Sequence, residues 1–324
     1  MRKRRFLQAV VAAAAVPRAA RAEDAPYPSR PLKLVVNYPP GGASDLMARL
    51  FGKRFGDAIG QAVVVDNRPG AGGTIGALYA IHQPADGYTF MWGNMGIAIL
   101  QPLLQKLPFD VSRDFTPVSL IATAPLVLVV NGNVPYRDLP GLVAAARARP
   151  DGFNFGSGGA GTLAHLTGEM MNLATGLRMQ HIPYKGSIQG INDVIAGQLD
   201  MIAADPQPVL AHIRSGKLRA IAVTTPRRFG LLPEVPTFVE AGMPDLVALN
   251  SWSILLPAGV PAAVQEKFRA ALVATMTDPE LKAKYAELGV DATHGSAQDL
   301  RNFMASESAR YGRLIRDKGI KGEG

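Results

Sequence analysis

The chain has 324 residues, enough for about two domains at roughly 150 residues each. With 48% apolar and 19% charged residues it is too hydrophobic for a mainly disordered protein, and its 34 glycines and 25 prolines forecast many tight turns. The absence of cysteine excludes disulfides, thiolate metal sites, a cysteine nucleophile and a lipid-modified N-terminal cysteine, while the net charge of +8 suggests nucleic acid only until its location is considered.

Much of that charge lies at the start. Residues 1–22 hold Arg2, Lys3, Arg4, Arg5, Arg18 and Arg21 and no acid. They follow the pattern of a secretory signal: a basic start, an apolar run from Phe6 to Val16, and Ala20-Arg21-Ala22 as an A-x-A cleavage site. The run is too short to span a bilayer. Lys3-Arg4-Arg5-Phe6-Leu7 approximates a twin-arginine export signal, so the Sec and twin-arginine routes both stay open. Beyond residue 22, 28 basic residues face 26 acidic ones, and the case for nucleic acid lapses. No later apolar run reaches the length of a membrane span, so the expectation is an anchor-free protein exported to the periplasm.

In chain order, Leu32–Tyr38 reads as a strand ending in Pro39-Pro40-Gly41-Gly42. Asp45–Ile59 follows with helical spacing at Leu46, Leu50, Phe51, Phe55 and Ile59, and Ser44 stands where an N-cap belongs. A strand over Ala62–Val65, a glycine loop at 67–73, a helix over Thr74–His82 and a strand over Tyr88–Trp92 complete a first block. A second begins after Pro125: strand Leu126–Val130, helix Leu139–Ala148, strand Phe153–Phe155, the loop 156–161, helix 162–174, a strand ending at His181–Tyr184, helix Ile188–Ala196 and strand Ala220–Thr224. After Trp252–Leu256, helices are expected around 261–276, 278–288 and 297–318. Strands alternating with helices predict an α/β fold with parallel βαβ units.

Both blocks end a strand in glycines and open a helix, at 40–48 and at 157–165. Each places a helix N-terminus at the carboxyl edge of a sheet, where open α/β folds bind ligands. Close-approaching amides and the helix dipole suit an anion. Asp45 argues against a polyphosphate and leaves a carboxylate feasible; the plainer alternative is that the glycines only make tight turns.

Other chemistry finds little support. Gly156-x-Gly158-x-x-Gly161 matches the dinucleotide fingerprint, yet the next strand, Met179–Pro183, ends without the acid that would hold a ribose. The window around Ser157 begins with Phe155 where a nucleophile elbow needs glycine. None of the five histidines is singled out by spacing, and no metal motif or Walker lysine occurs. A hydrolase or dehydrogenase using the 156–161 loop remains the alternative of a different class.

The phrases YPSRPLKLVVNYPPGGASD (27–45), VVVDNRPGAGGTIGA (63–77), ADGYTFMWGN (85–94), LPFDVSRDFTPVS (107–119), GSGGAGTLAHLTGE (156–169), HIPYKGSIQGINDVIAGQLD (181–200), GKLRAIAVTT (216–225), LPEVPTFVEAGMP (232–244) and WSILLPAGVP (252–261) occur in this order. Together they resemble the Bug-type periplasmic solute-binding proteins, the receptor components of tripartite tricarboxylate transporters. That resemblance covers nearly the whole chain beyond residue 22.

It implies a two-domain α/β periplasmic binding protein of type II with a cleft between the lobes: lobe 1 over 23–123 plus 246–324, lobe 2 over 124–245. It further implies a monomeric receptor, not an enzyme, without cofactor or metal. The receptor would bind a di- or tricarboxylate, an acidic amino acid or an aromatic acid and deliver it to membrane transporter subunits; a sensor presenting it to a receptor-kinase ectodomain is the alternative. Carried over by position, the first grip is Tyr38 to Asp45, chiefly Gly41, Gly42, Ala43 and Ser44. The second is Ser157, Gly158, Gly161 and Thr162, with His165 as the histidine of the motif; Asn94 and Tyr184 join them. Asn37 stands where a small apolar residue or proline is expected. Asp205 should face the cleft, either pairing with an amino group or repelling a second carboxylate.

Overall fold

The computed structural model describes residues 26–150 and 152–320; the export segment expected at 1–22 lies outside them. The chain begins with β1 (Leu32–Val36), α1 (Ala43–Ile59), β2 (Val63–Asn67), α2 (Thr74–Ile81) and β3 (Thr89–Asn94). A π-helical turn at Gly96–Leu100 leads through α3 (Gln101–Leu104) and α4 (Val111–Asp114) to the long strand β4 (Phe115–Pro125). Only Leu126 separates β4 from β5 (Val127–Asn131), which is followed by α5 (Leu139–Arg147), β6 (Asn154–Ser157), α6 (Leu163–Thr175) and β7 (Gln180–Pro183). Then come α7 (Ser187–Ala196), β8 (Met201–Ala204), α8 (Pro206–Arg214) and β9 (Leu218–Val223). The chain returns through β10 (Leu249–Pro257) to α9 (Ala262–Thr277), α10 (Pro279–Glu287), β11 (Asp291–Ala292) and α11 (Ala297–Lys318).

Two sheets result, ordered β2-β1-β3-β10-β4-β11 and β7-β6-β8-β5-β9. Each has three parallel strands, then an antiparallel one, then another strand parallel to the first three, and the first sheet adds the short β11 antiparallel to β4 at its edge. The antiparallel strand is in both cases the one with which the chain enters from the other sheet: β10 in the first, β5 in the second. The expected parallel units are present, and the crossing strands make both sheets mixed. A crossing strand enters along the reverse direction and finds its place by pairing between two parallel neighbours.

Both faces of each sheet are covered, as parallel strands require. In β1, Leu32, Leu34 and Val36 point to one apolar cluster and Val35 to another; in β5, Val127 and Val129 alternate with Leu128 and Val130 in the same way. The buried face of α1 is Met47, Phe51, Phe55 and Ile59, one helical turn apart, while Leu46 is partly exposed. Phe55 meets Phe90 of β3 and Phe268 of α9 at 5.5 and 4.6 Å between ring centroids. Burying such a ring stabilises the fold by about 1.5–3 kcal/mol. Gly60, in the left-handed region at φ 82°, ends α1 and returns its N–H to the carbonyl of Gly56. The π turn and the end of α11 carry Met95, Ile99, Leu100, Tyr311 and Ile315 into the cluster that includes the second sheet's Leu128 and α6's Leu166, so the lobes share apolar packing.

Candidate ligand-binding cleft

The carboxyl ends of β1, β3, β6, β7 and β8 meet between the lobes around a cavity of about 70 Å³. Three helices begin there. In α1, α6 and α7 the first two residues, Ala43 and Ser44, Leu163 and Ala164, and Ser187 and Ile188, all line the cavity. Their N–H groups have no carbonyl of their own helix to bond, because an α-helix leaves its first-turn donors open. Each helix adds roughly half a positive charge at that end. Among the described residues no lysine, arginine or histidine lines the cavity, so the partial positive charge offered there is that of the helix starts.

Glycine makes the close approach possible. A Cβ at Gly186, before α7, would lie 2.6 Å from Cγ of Pro39 in the other lobe. A Cβ at Gly72, where φ is +59°, would lie 2.8 Å from the Ala160 carbonyl oxygen across the same gap. The lobes thus approach one another closely at glycine backbone, where a side chain would hold them apart.

A model of the tripartite tricarboxylate transporter family receptor matches residues 47–320. The chain belongs to that family. BugT of Bordetella pertussis is 35% identical over 300 residues, 91% of each chain. The periplasmic binding protein BugD superposes with a TM-score of 0.87 at 28% identity, covering 91% of this chain and 99% of its own. An R. palustris protein solved with adipate superposes equally well, at 32% identity and the same coverage. The two-lobe α/β architecture is that of periplasmic binding proteins. Among the described residues no helix is long and apolar enough to cross a membrane, and no group of acidic and histidine side chains is arranged to hold a metal.

Of the residues singled out from the receptor's sequence, Tyr38, Gly42, Ala43, Ser44, Asn94, Gly158, Thr162 and Asp205 line the cavity; Gly41, Asp45, Ser157, Gly161, His165 and Tyr184 do not. Each displacement has a physical reason. The Gly41 N–H is already donated to Asp45 Oδ2 at 3.0 Å, and Asp45 also accepts from Asn67 Nδ2 at 2.9 Å and Arg49 Nε at 3.0 Å. Burial alone would raise the Asp45 carboxyl, but these donors and the Arg49 charge outweigh it and hold the group below its usual range. Ser157 is fully buried: its hydroxyl donates to the Gly159 carbonyl at 2.9 Å and lies 2.7 Å from His181 Nε2. That serine–histidine pair sits outside the cavity wall. His165, 2% exposed, accepts the Gly161 N–H on Nδ1 at 3.2 Å and stacks on His181 with centroids 4.1 Å apart, so both residues brace the loop from behind. Tyr184 borders a neighbouring cavity and donates to Asp193 Oδ2 at 2.7 Å; burial, then that contact, pushes its phenol up to about 12.

Two local assignments also change. Ser44 does not cap α1, whose N-cap is Gly42; its Oγ instead accepts the indole N–H of Trp252 at 3.0 Å. The capping role appears in the second lobe, where Thr162 Oγ1 accepts the His165 N–H and donates to the Gly159 carbonyl at 2.8 Å. Sequence reasoning placed a helix at Ile188–Ala196 but did not count its start, Gly186 to Ile188, among the site residues. Its signal was present in Tyr184-Lys185-Gly186-Ser187, another strand end running through glycine into a helix. Asn250, brought in by the crossing strand β10, had no such signal.

Proposed function

We propose that this receptor is an exported periplasmic protein that holds a small organic acid in the cleft and delivers it to membrane subunits of a tripartite tricarboxylate-type transporter. Residues 1–22 act as its cleavable signal, and the mature chain works as a monomer with lobes drawn at 23–123 plus 246–324 and at 124–245. The observation that carries the reading is the convergence of three amide-bearing helix starts on one small cavity without a cationic side chain. The adipate held by a relative of the same fold supports a carboxylate as the ligand.

The energies are sufficient. Three or four hydrogen bonds to a charged group, about 1.5–3 kcal/mol each, supply roughly 5–12 kcal/mol gross, and a micromolar ligand needs about 8 kcal/mol net. The donors come from both lobes, so the ligand favours the closed state by contacts that only closure completes.

Native mass spectrometry of the freshly purified protein, followed by calorimetry against a panel of organic acids, tests the assignment. Binding of an acid without turnover is expected; chemical conversion of the bound acid would overturn it. Gly186→Val, which wedges the lobes at Pro39, is expected to weaken binding by about 10–100-fold through loss of one donor set, with little change in the circular dichroism spectrum. Unchanged affinity in that variant would show that closure plays no part.

A further inference from the structure

A fourth helix also begins at the cleft, and it is built differently. Asp205 follows β8 and occupies the N-cap of α8. An aspartate in that position ordinarily accepts the amides of the second and third helical residues. Here the first turn reads Pro206-Gln207-Pro208, so two of its three residues have no N–H, and Asp205 makes no capping bond. The residue lines the cavity instead, its carboxylate steadied by Asn250 Nδ2 at 2.8 Å from Oδ1 and by its own backbone N–H. It is the one carboxylate lining that cavity, and no cation pairs with it among the described residues.

Asp205 therefore lacks two of the supports a buried acid usually has: helix amides and a basic partner. Burial pushes its carboxyl up to about 6 despite the Asn250 contact, so it is ionised at neutral pH but at a cost that a cation would relieve. The titratable group facing it is Tyr38, from the turn before α1, whose phenol is raised by burial and by the Asp205 charge and stays protonated. Asn250 of β10 is neutral. One side of the cavity thus offers open amides, and the side formed by α8 offers a bare carboxylate.

We infer that Asp205 makes the cleft select a small acid that also carries a protonated amine, the carboxylate lying at the starts of α1, α6 and α7 and the ammonium at Asp205. A dicarboxylate would bring like charge against Asp205. The inference rests on the carboxylate-receptor reading above and specifies what that reading leaves open.

Calorimetry at pH 7.5 with matched probes tests it: L-alanine and β-alanine against malonate, 4-aminobutyrate against succinate, and 5-aminovalerate against glutarate. The expected result is that the best amino acid binds at least tenfold more tightly than its paired diacid. Asp205→Asn, which keeps the contact to Asn250, is expected to erase or invert that preference. In the unsubstituted protein the preference should also narrow at pH 5, where a protonated Asp205 can donate to a second carboxylate. Tighter binding of the diacids at pH 7.5, or a preference untouched by both Asp205→Asn and pH 5, overturns the inference while leaving the carboxylate reading intact. Failure of every acid to bind overturns both.

Discussion

Asp45 and Asp205 each stand at the start of a helix beside the same cleft, and the structure gives them opposite lives. Asp45, in the first turn of α1, is enclosed by the Gly41 amide, Asn67 and Arg49 and is turned away from the cavity. Asp205, before α8, has Pro208 where one capping amide would be and keeps only two neutral donors, Asn250 and its own backbone N–H. The carboxyl of the first is held below its usual range because donors outweigh burial; that of the second is raised because burial outweighs its two neutral donors. A buried carboxylate's role is set by the donors its surroundings supply, more than by its place on a helix.

The largest effect should come from removing the satisfied acid. Asp45→Ala is expected to lower the unfolding free energy by about 3 kcal/mol at pH 7, since it deprives the Gly41 amide and Asn67 of a charged acceptor. Its folded-state carboxyl being depressed, that stabilisation is present above the usual carboxylate range and is lost as pH falls below it, so urea titrations of parent and variant should converge in acid. Equal stability at pH 7 would break the contrast between the two aspartates.

Asp205→Asn should act in the reverse sense. A raised carboxyl means the folded state holds its proton more tightly than the unfolded one, so ionisation penalises the fold above about pH 6 and not below the unfolded value of 3.8. Without ligand, the variant is expected to gain about 2 kcal/mol at pH 8 and almost nothing below pH 4, measured by urea unfolding at both pH values. A loss at pH 8 would contradict the account. The smallest effect sharpens the comparison most: Pro208→Ala returns an N–H to the first turn of α8, and Asp205 should cap it. About 1 kcal/mol of added stability is expected, together with a weaker preference for amines in calorimetry; no change in either would show that the prolines do not set the carboxylate's direction.

The repeated passage from strand through glycine to helix was readable because it depends on local chemistry. Glycine permits the turn, and an apolar stripe at helical spacing follows, as at 40–59 and 157–174. Ser44 looked like a cap for the same local reason; its partner Trp252 is 208 residues away and no pattern near Ser44 announces it. His165 and Ser157 belong to the family motif, yet their polar atoms face the loop they support, because the amides at Gly159 and Gly161 needed partners more closely than any ligand could supply them. β4 and β8 escaped periodicity because the first mixes Thr116, Pro117, Ser119 and Thr123 among its apolar residues without alternation and the second is only four residues long.

From sequence alone, the family, the alternation of strands and helices, and the presence of glycine-led helix starts were determined, since each follows from ordered motifs or from side chains within one turn of each other. Only the tertiary structure decided which amides stay open, which aspartate is satisfied and which is bare, and that a crossing strand brings Asn250 to Asp205. Those outcomes depend on donors and acceptors tens to hundreds of residues apart, and hydrogen-bond supply at a buried site is a property of what surrounds it.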